Sequence, residues 1–130
     1  MLLDDLFKNL SRVAYQTRDF VTGGNETPLM NIYENEGNYS VRVLLPGVSK
    51  EDVSITYADG FLTVEGEKKE VKTDTAENIR SEIGYGKFAR AIRLSDKIDS
   101  GSINAKFENG VLVISMKTAP EKAPKKIAIG

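Results

Sequence analysis

The stretch Ile103-Asn104-Ala105-Lys106-Phe107-Glu108-Asn109-Gly110-Val111-Leu112-Val113-Ile114-Ser115-Met116 decides the fold class. Ile103, Ala105 and Phe107 share one face of an extended run, and Leu112, Ile114 and Met116 share one face of the next. A period of two marks a strand with one face in a core. Asn109-Gly110 stands between the runs, and this dipeptide suits a tight hairpin turn whose central residues need positive φ. The stretch reads as a β-hairpin.

The same rhythm continues upstream. Phe88, Ile92 and Leu94 lie on one face of the preceding run, and Leu62 and Val64 alternate with Thr63 and Glu65. Val53, Ile55 and Tyr57 alternate with Ser54 and Thr56 and stop at Asp59-Gly60. Tyr39, Val41, Val43 and Leu45 alternate with Ser40, Arg42 and Leu44 and stop at Pro46-Gly47. Residues 30–33 supply an opening edge strand. Short strands at near-regular intervals, punctuated by turn dipeptides, predict an all-β sandwich over residues 28–117. One interval breaks the rhythm. Residues 67–84 are mostly charged and form an excursion of a length uncommon inside a compact domain. It reads either as a solvated loop or as a functional one, and Ile79 and Ile83 are spaced to anchor a short strand within it.

The flanks follow other patterns. Leu3, Leu6, Phe7, Leu10, Val13 and Ala14 fall at helical spacing, with Asp4 and Asp5 in the first turn, where the helix dipole favours acid. This predicts a short amphipathic helix within residues 2–20, broken at Thr22-Gly23-Gly24-Asn25. Residues 1–27 thus form an N-terminal arm. Its apolar stripe of Leu3, Leu6, Phe7 and Leu10 either caps the sandwich or meets oligomer neighbours and clients, and the Gly-Gly break favours the second role. Residues 118–130, with Pro120 and Pro124, read as an extended tail. Ile127-Ala128-Ile129 closes it. Side chains at i and i+2 of an extended segment point the same way, so the two Ile are spaced for two neighbouring pockets along a sheet edge. Otherwise the tail ends in two apolar residues by chance.

A chain of 130 residues suits one domain with a core large enough to fold unaided. Its net charge of −1 leaves no electrostatic footprint for nucleic acid or an anionic membrane. Cys and His are both absent. Disulfides, thiol catalysis, thiolate metal sites and Ser-His-Asp arrangements are therefore excluded. Carboxylates and Lys remain, but neither a calcium-loop spacing nor a Gly-Lys-Ser/Thr phosphate loop is found. The expectation is a non-enzyme without cofactor. Met1-Leu2-Leu3-Asp4-Asp5 places acid where a secretory leader needs a basic region, and no stretch approaches the roughly 20 apolar residues of a membrane span. A cytoplasmic protein is expected.

Several segments, in order and spacing, resemble the small heat-shock proteins with their α-crystallin domain. Pro28-Leu29-Met30-Asn31-Ile32-Tyr33-Glu34 is similar to that family's opening strand, and Leu62-Thr63-Val64-Glu65-Gly66-Glu67-Lys68 to a later one. Val43-Leu44-Leu45-Pro46-Gly47-Val48 with Glu51-Asp52-Val53 resembles its LPGV and EDV segments. Gly86-Lys87-Phe88-Ala89-Arg90 matches GxFxR, Ala105 to Leu112 matches AxxxxGVL, and Ile127-Ala128-Ile129 matches a terminal Ile-x-Ile. Ser95 departs from the pattern, since the family usually carries Pro there, and the arm is short for the family.

The resemblance implies an immunoglobulin-like β-sandwich that dimerises. Residues 67–84, through Ile79 and Ile83, would be exchanged between subunits against the neighbour's opening strand with Met30 and Ile32. Dimers would assemble into a larger homo-oligomer, an ATP-independent holdase for partly unfolded proteins that are passed on to ATP-driven chaperones. Ile127 and Ile129 would link subunits by entering a groove between strands 53–57 and 103–107. Val53, Ile55, Ile103 and Ala105 are the candidate lining residues, and each reads equally as plain core. Arg90 shares a face with Phe88, Ile92 and Leu94, so it needs a carboxylate or carbonyl partner if it points inward. The resemblance favours a structural or subunit-contact role for it over a surface position at the strand's end. The alternative function is a monomeric or dimeric co-chaperone-like interaction module on the same sandwich, which would need no Ile-x-Ile. A sugar-binding or hydrolytic sandwich is disfavoured by the lack of Trp and His.

Overall fold

Strands that are apolar on one face need a second sheet to cover them, and this chain folds its strands into two. The computed structural model describes residues 17–72, 74–119 and 127–130. The strands are β1 (Thr17–Val21), β2 (Met30–Asn35), β3 (Asn38–Leu44), β4 (Val53–Ala58), β5 (Phe61–Lys68), β6 (Gly86–Arg93), β7 (Asn104–Glu108) and β8 (Val111–Lys117). They form two antiparallel sheets, ordered β1-β6-β5-β4 and β2-β3-β8-β7. The architecture is the expected all-β sandwich.

The core lies between the central strands. Val41, Val43, Leu45, Leu62, Val64, Phe88, Ile92, Leu112, Ile114 and Met116 are each no more than 4% exposed. Each contributes roughly 1.5–3 kcal/mol of transfer free energy. Met30, Val53, Ile55, Tyr57, Ile103 and Phe107, from or beside the edge strands, pack against this cluster while half-buried. Phe20 and Val21 of β1 are exposed and do not belong to it.

Three hairpins close through two-residue turns with both φ positive: Glu36-Gly37 (51° and 81°), Asp59-Gly60 (53° and 81°) and Asn109-Gly110 (54° and 76°). They join the pairs Asn35↔Asn38, Ala58↔Phe61 and Glu108↔Val111. The twist of this turn type matches that of paired strands. The last turn also seals the end of β3, where the Leu45 N–H donates to the Gly110 carbonyl at 2.7 Å. Gly66, in mid-strand, is required for a different reason: a β-carbon there would collide with the Asp52 carbonyl.

One expectation changes. The helix read within residues 2–20 does not extend to its end, because Thr17–Val21 is strand β1, paired with β6 from Thr17↔Ile92 to Val21↔Phe88. Thr, Phe and Val favour extended backbone, and the β6 edge satisfies their amides. Leu3, Leu6, Phe7 and Leu10 lie outside the described residues. The interval 67–84 gives its first two residues to β5, and its other described residues carry no strand. Ile79 and Ile83 stand 94% and 62% exposed.

Candidate functional site

β4 and β7 are each the last strand of their own sheet, so no ladder joins them. Their half-buried apolar side chains point between the sheets, and among the described residues no further strand covers them. The result is a cleft of about 640 Å³. Val53 and Ile55 form one wall, Ala105 and Phe107 the other, with Leu112 between and Lys50, Glu51, Lys106 and Glu108 also lining the cleft. The cleft's walls are apolar side chains, with charged residues also lining it. It offers unpaired edge amides and carbonyls together with apolar pockets, which is what an extended peptide needs for strand addition.

Of the residues singled out in the sequence, the cleft brings together Val53, Ile55 and Ala105. Ile103 packs against the core and lies outside the cleft's lining. Phe107 and Leu112 belong to the lining and were read only as inward-facing positions, because alternation does not separate core from cleft. Ile127 and Ile129 are 86% and 99% exposed and are not seated in this chain's own cleft. On β2, Met30 packs against the core and Ile32 is exposed. Among the described residues β2 pairs with β3 alone, so its other edge is open to them.

Arg90 occupies a second cluster. Its Nε donates to Asp19 Oδ1 at 2.9 Å, its Nη2 to Asp19 Oδ2 at 3.2 Å and its Nη1 to the Pro28 carbonyl at 2.8 Å. The guanidinium fork matches the carboxylate, giving a charge-assisted bidentate pair. The two side chains are 14% and 30% exposed. One arginine thereby ties β6 to β1 and to the segment that enters β2 in the other sheet. Nearby, Thr22 Oγ1 accepts the Lys87 N–H at 2.9 Å and Asn25 Nδ2 donates to the Gly86 carbonyl at 3.1 Å.

Tyr57, beyond Ile55 on β4, donates its hydroxyl to the Ser95 carbonyl at 2.6 Å. Burial raises its phenol above the ordinary range, and a backbone hydrogen bond from Ile98 offsets part of that. Among the described residues no group of three or more carboxylates is placed to hold a metal ion. No helix there is long and apolar enough to cross a membrane.

The profile of the Hsp20/alpha crystallin family matches residues 31–130. Heat shock protein 16 of Schizosaccharomyces pombe is 37% identical over 132 residues, covering 98% of this chain and 91% of that protein. Small heat shock protein C2 of Rickettsia felis is 33% identical over 129 residues, covering 98% and 82%. The solved structure of heat shock protein 16.0 from Schizosaccharomyces pombe aligns with a TM-score of 0.68 at 34% identity, over 82% of this chain and 100% of that one. A small heat-shock protein from Xylella fastidiosa, with a distinct high order structure, aligns at a TM-score of 0.65 and 30% identity over 82% and 99%. Strand pairing, sequence and overall shape therefore agree, and this chain belongs to the Hsp20/alpha crystallin family of small heat-shock proteins.

Proposed function

We propose that the chain is an ATP-independent holdase that works as a dynamic homo-oligomer in the cytoplasm. Its role is to cover the apolar segments of partly unfolded proteins until ATP-driven chaperones take them. The observation that carries this reading is the open β4–β7 cleft on a chain whose own Ile127 and Ile129 stand exposed. Burying each Ile would contribute roughly 1.5–3 kcal/mol before ordering costs. One tail in a neighbour's cleft is therefore a weak contact, and many tails in one assembly hold through effective concentration. Heat loosens such contacts and shifts the population toward smaller species with open clefts.

The basic unit in this reading is a dimer. The loop of residues 67–84 presents Ile79 and Ile83 to the open edge of the neighbour's β2, beside Met30 and Ile32. The N-terminal stripe Leu3, Leu6, Phe7 and Leu10 adds subunit and client contacts. The high order structure of the Xylella fastidiosa relative supports assembly beyond the dimer.

Light scattering on size exclusion tests this directly, comparing the full chain with one that ends at Lys126. A many-subunit assembly that falls to dimers on truncation, with altered protection of a heat-denatured client, is the expected result. Unchanged mass and protection would refute the tail-in-cleft reading. Monomers in both forms would point instead to a co-chaperone-like interaction module.

A further inference from the structure

β1 is the least embedded strand of the sandwich. Asp19, Phe20 and Val21 stay outside the core, Phe20 and Val21 being 56% and 36% exposed. Among the described residues it is held on one side, by its ladder to β6 and the Asp19–Arg90 pair, and just past it Thr22 and Asn25 bond to Lys87 and Gly86. Gly23 and Gly24 follow at φ of 65° and 75°, in a turn whose backbone lies against Gly84 and Tyr85. Two glycines at left-handed φ make this anchored turn, so β1 would lift ahead of it, opening at Thr22.

Removing β1 would leave the core intact and create two needs at one place. The outer edge of β6 would present unpaired N–H and C=O groups. Arg90, mostly buried, would keep the Pro28 carbonyl but lose its only carboxylate, and a buried charge left without its partner is strongly unfavourable. Backbone edge and guanidinium together define an acceptor with a stated chemistry. It takes an extended antiparallel strand carrying Asp or Glu opposite Arg90.

The geometry points to β1 as a displaceable strand, and to the β6 edge beneath it as an acceptor for an extended, carboxylate-bearing segment of an unfolding client. The inference rests on the holdase reading. Requiring one acid and a free backbone is a loose specificity, which suits varied unfolded chains better than one folded partner. β1, with Asp19 opposite Arg90, is the resident occupant that sets the register.

The probe is a fluorescein-labelled peptide of residues 15–23, with an Asp19→Asn version as control, titrated by anisotropy into the full chain. The protein partners are the unaltered chain, Asp19→Ala, and the double variant Phe20→Cys/Ala89→Cys. Phe20 and Ala89 face each other in the ladder, and the chain has no other cysteine to interfere. Asp19→Ala should bind the Asp peptide roughly tenfold more tightly than the unaltered chain, because the open state is better populated. The Asn peptide should lose most of that gain. Oxidising the cysteine pair should abolish binding, and reduction should restore it.

Equal binding of the Asp and Asn peptides, or binding that survives the oxidised cross-link, would overturn the proposal. So would a failure of Asp19→Ala to take up peptide, including the case in which its mass rises because β1 exchanges between copies. Client protection separates the two readings. If the cross-linked chain protects fully while truncation at Lys126 still impairs protection, strand displacement fails and the holdase stands. If the unaltered chain protects no client, the holdase reading itself fails.

Discussion

At Arg90 a single side chain closes three polar contacts that no neighbouring residue could replace. Hydrogen bonds to charged groups are worth about 1.5–3 kcal/mol each and do not add fully, so Arg90→Ala should lower stability by about 2–3 kcal/mol in urea unfolding. Arg90→Lys should recover only part of this, since an ammonium lacks the fork that grips both Asp19 oxygens. Tyr57→Phe removes the bond to the Ser95 carbonyl and should cost about 1 kcal/mol. The same residue gives a pH dependence. Burial raises the phenol's pKa, so the folded chain holds that proton more tightly than the unfolded chain does. This stabilisation is complete below the phenol's ordinary pKa of about 10 and is lost as pH climbs through the raised value. Melting scans from about pH 8 to 11 should therefore fall less steeply for Tyr57→Phe than for the unaltered chain.

The hairpin turns show what a strand pattern can and cannot announce. Asp59-Gly60 and Asn109-Gly110 are readable because Asp, Asn and Gly tolerate the left-handed region. Glu36-Gly37 adopts the same geometry with a residue that gives no such signal. Glu36→Asn should thus stabilise the chain by about 0.5–1 kcal/mol, which a thermal shift would register. The strands themselves were legible from period-two alternation in Tyr39–Leu45, Val53–Tyr57 and Leu112–Met116. β1 was not, because the helical spacing from Leu3 to Ala14 carried the reading past Thr17, and nothing local says that β6 has a free edge to offer. The cleft was half legible for the same reason. Val53, Ile55 and Ala105 are inward positions, and so are Phe107 and Leu112, but which inward positions lie beside an open edge depends on pairings between residues far apart in sequence.

At the scale of the molecule, the test of the cleft is to fill it without disturbing the core. Ala105 is exposed and on the cleft wall, so Ala105→Arg should leave the fold intact. It should lower native mass as truncation at Lys126 does; melting temperature and circular dichroism would confirm the fold, and light scattering the mass. An undiminished assembly would show that subunits join elsewhere.

The order of strand pairing has a consequence for the chain's own recovery from heat. β2–β3, β4–β5 and β7–β8 each join neighbours across two residues, and such hairpins form in about 1–10 μs. The β3–β8 ladder instead brings Asn38 to Lys117, and the β1–β6 ladder brings Thr17 to Ile92. Refolding is therefore paced by long-range encounters in which preformed hairpins and the strands β1 and β6 find their partners. The interval of residues 67–84 lies inside both spans, and the entropy of closing a span grows only with the logarithm of its length. Insertions there should change the refolding rate less than twofold in stopped-flow measurements, whereas a turn substitution that delays the β7–β8 hairpin should slow it markedly. A chain built largely from hairpins that close on their own regains its edges quickly, while slower proteins around it are still unfolded.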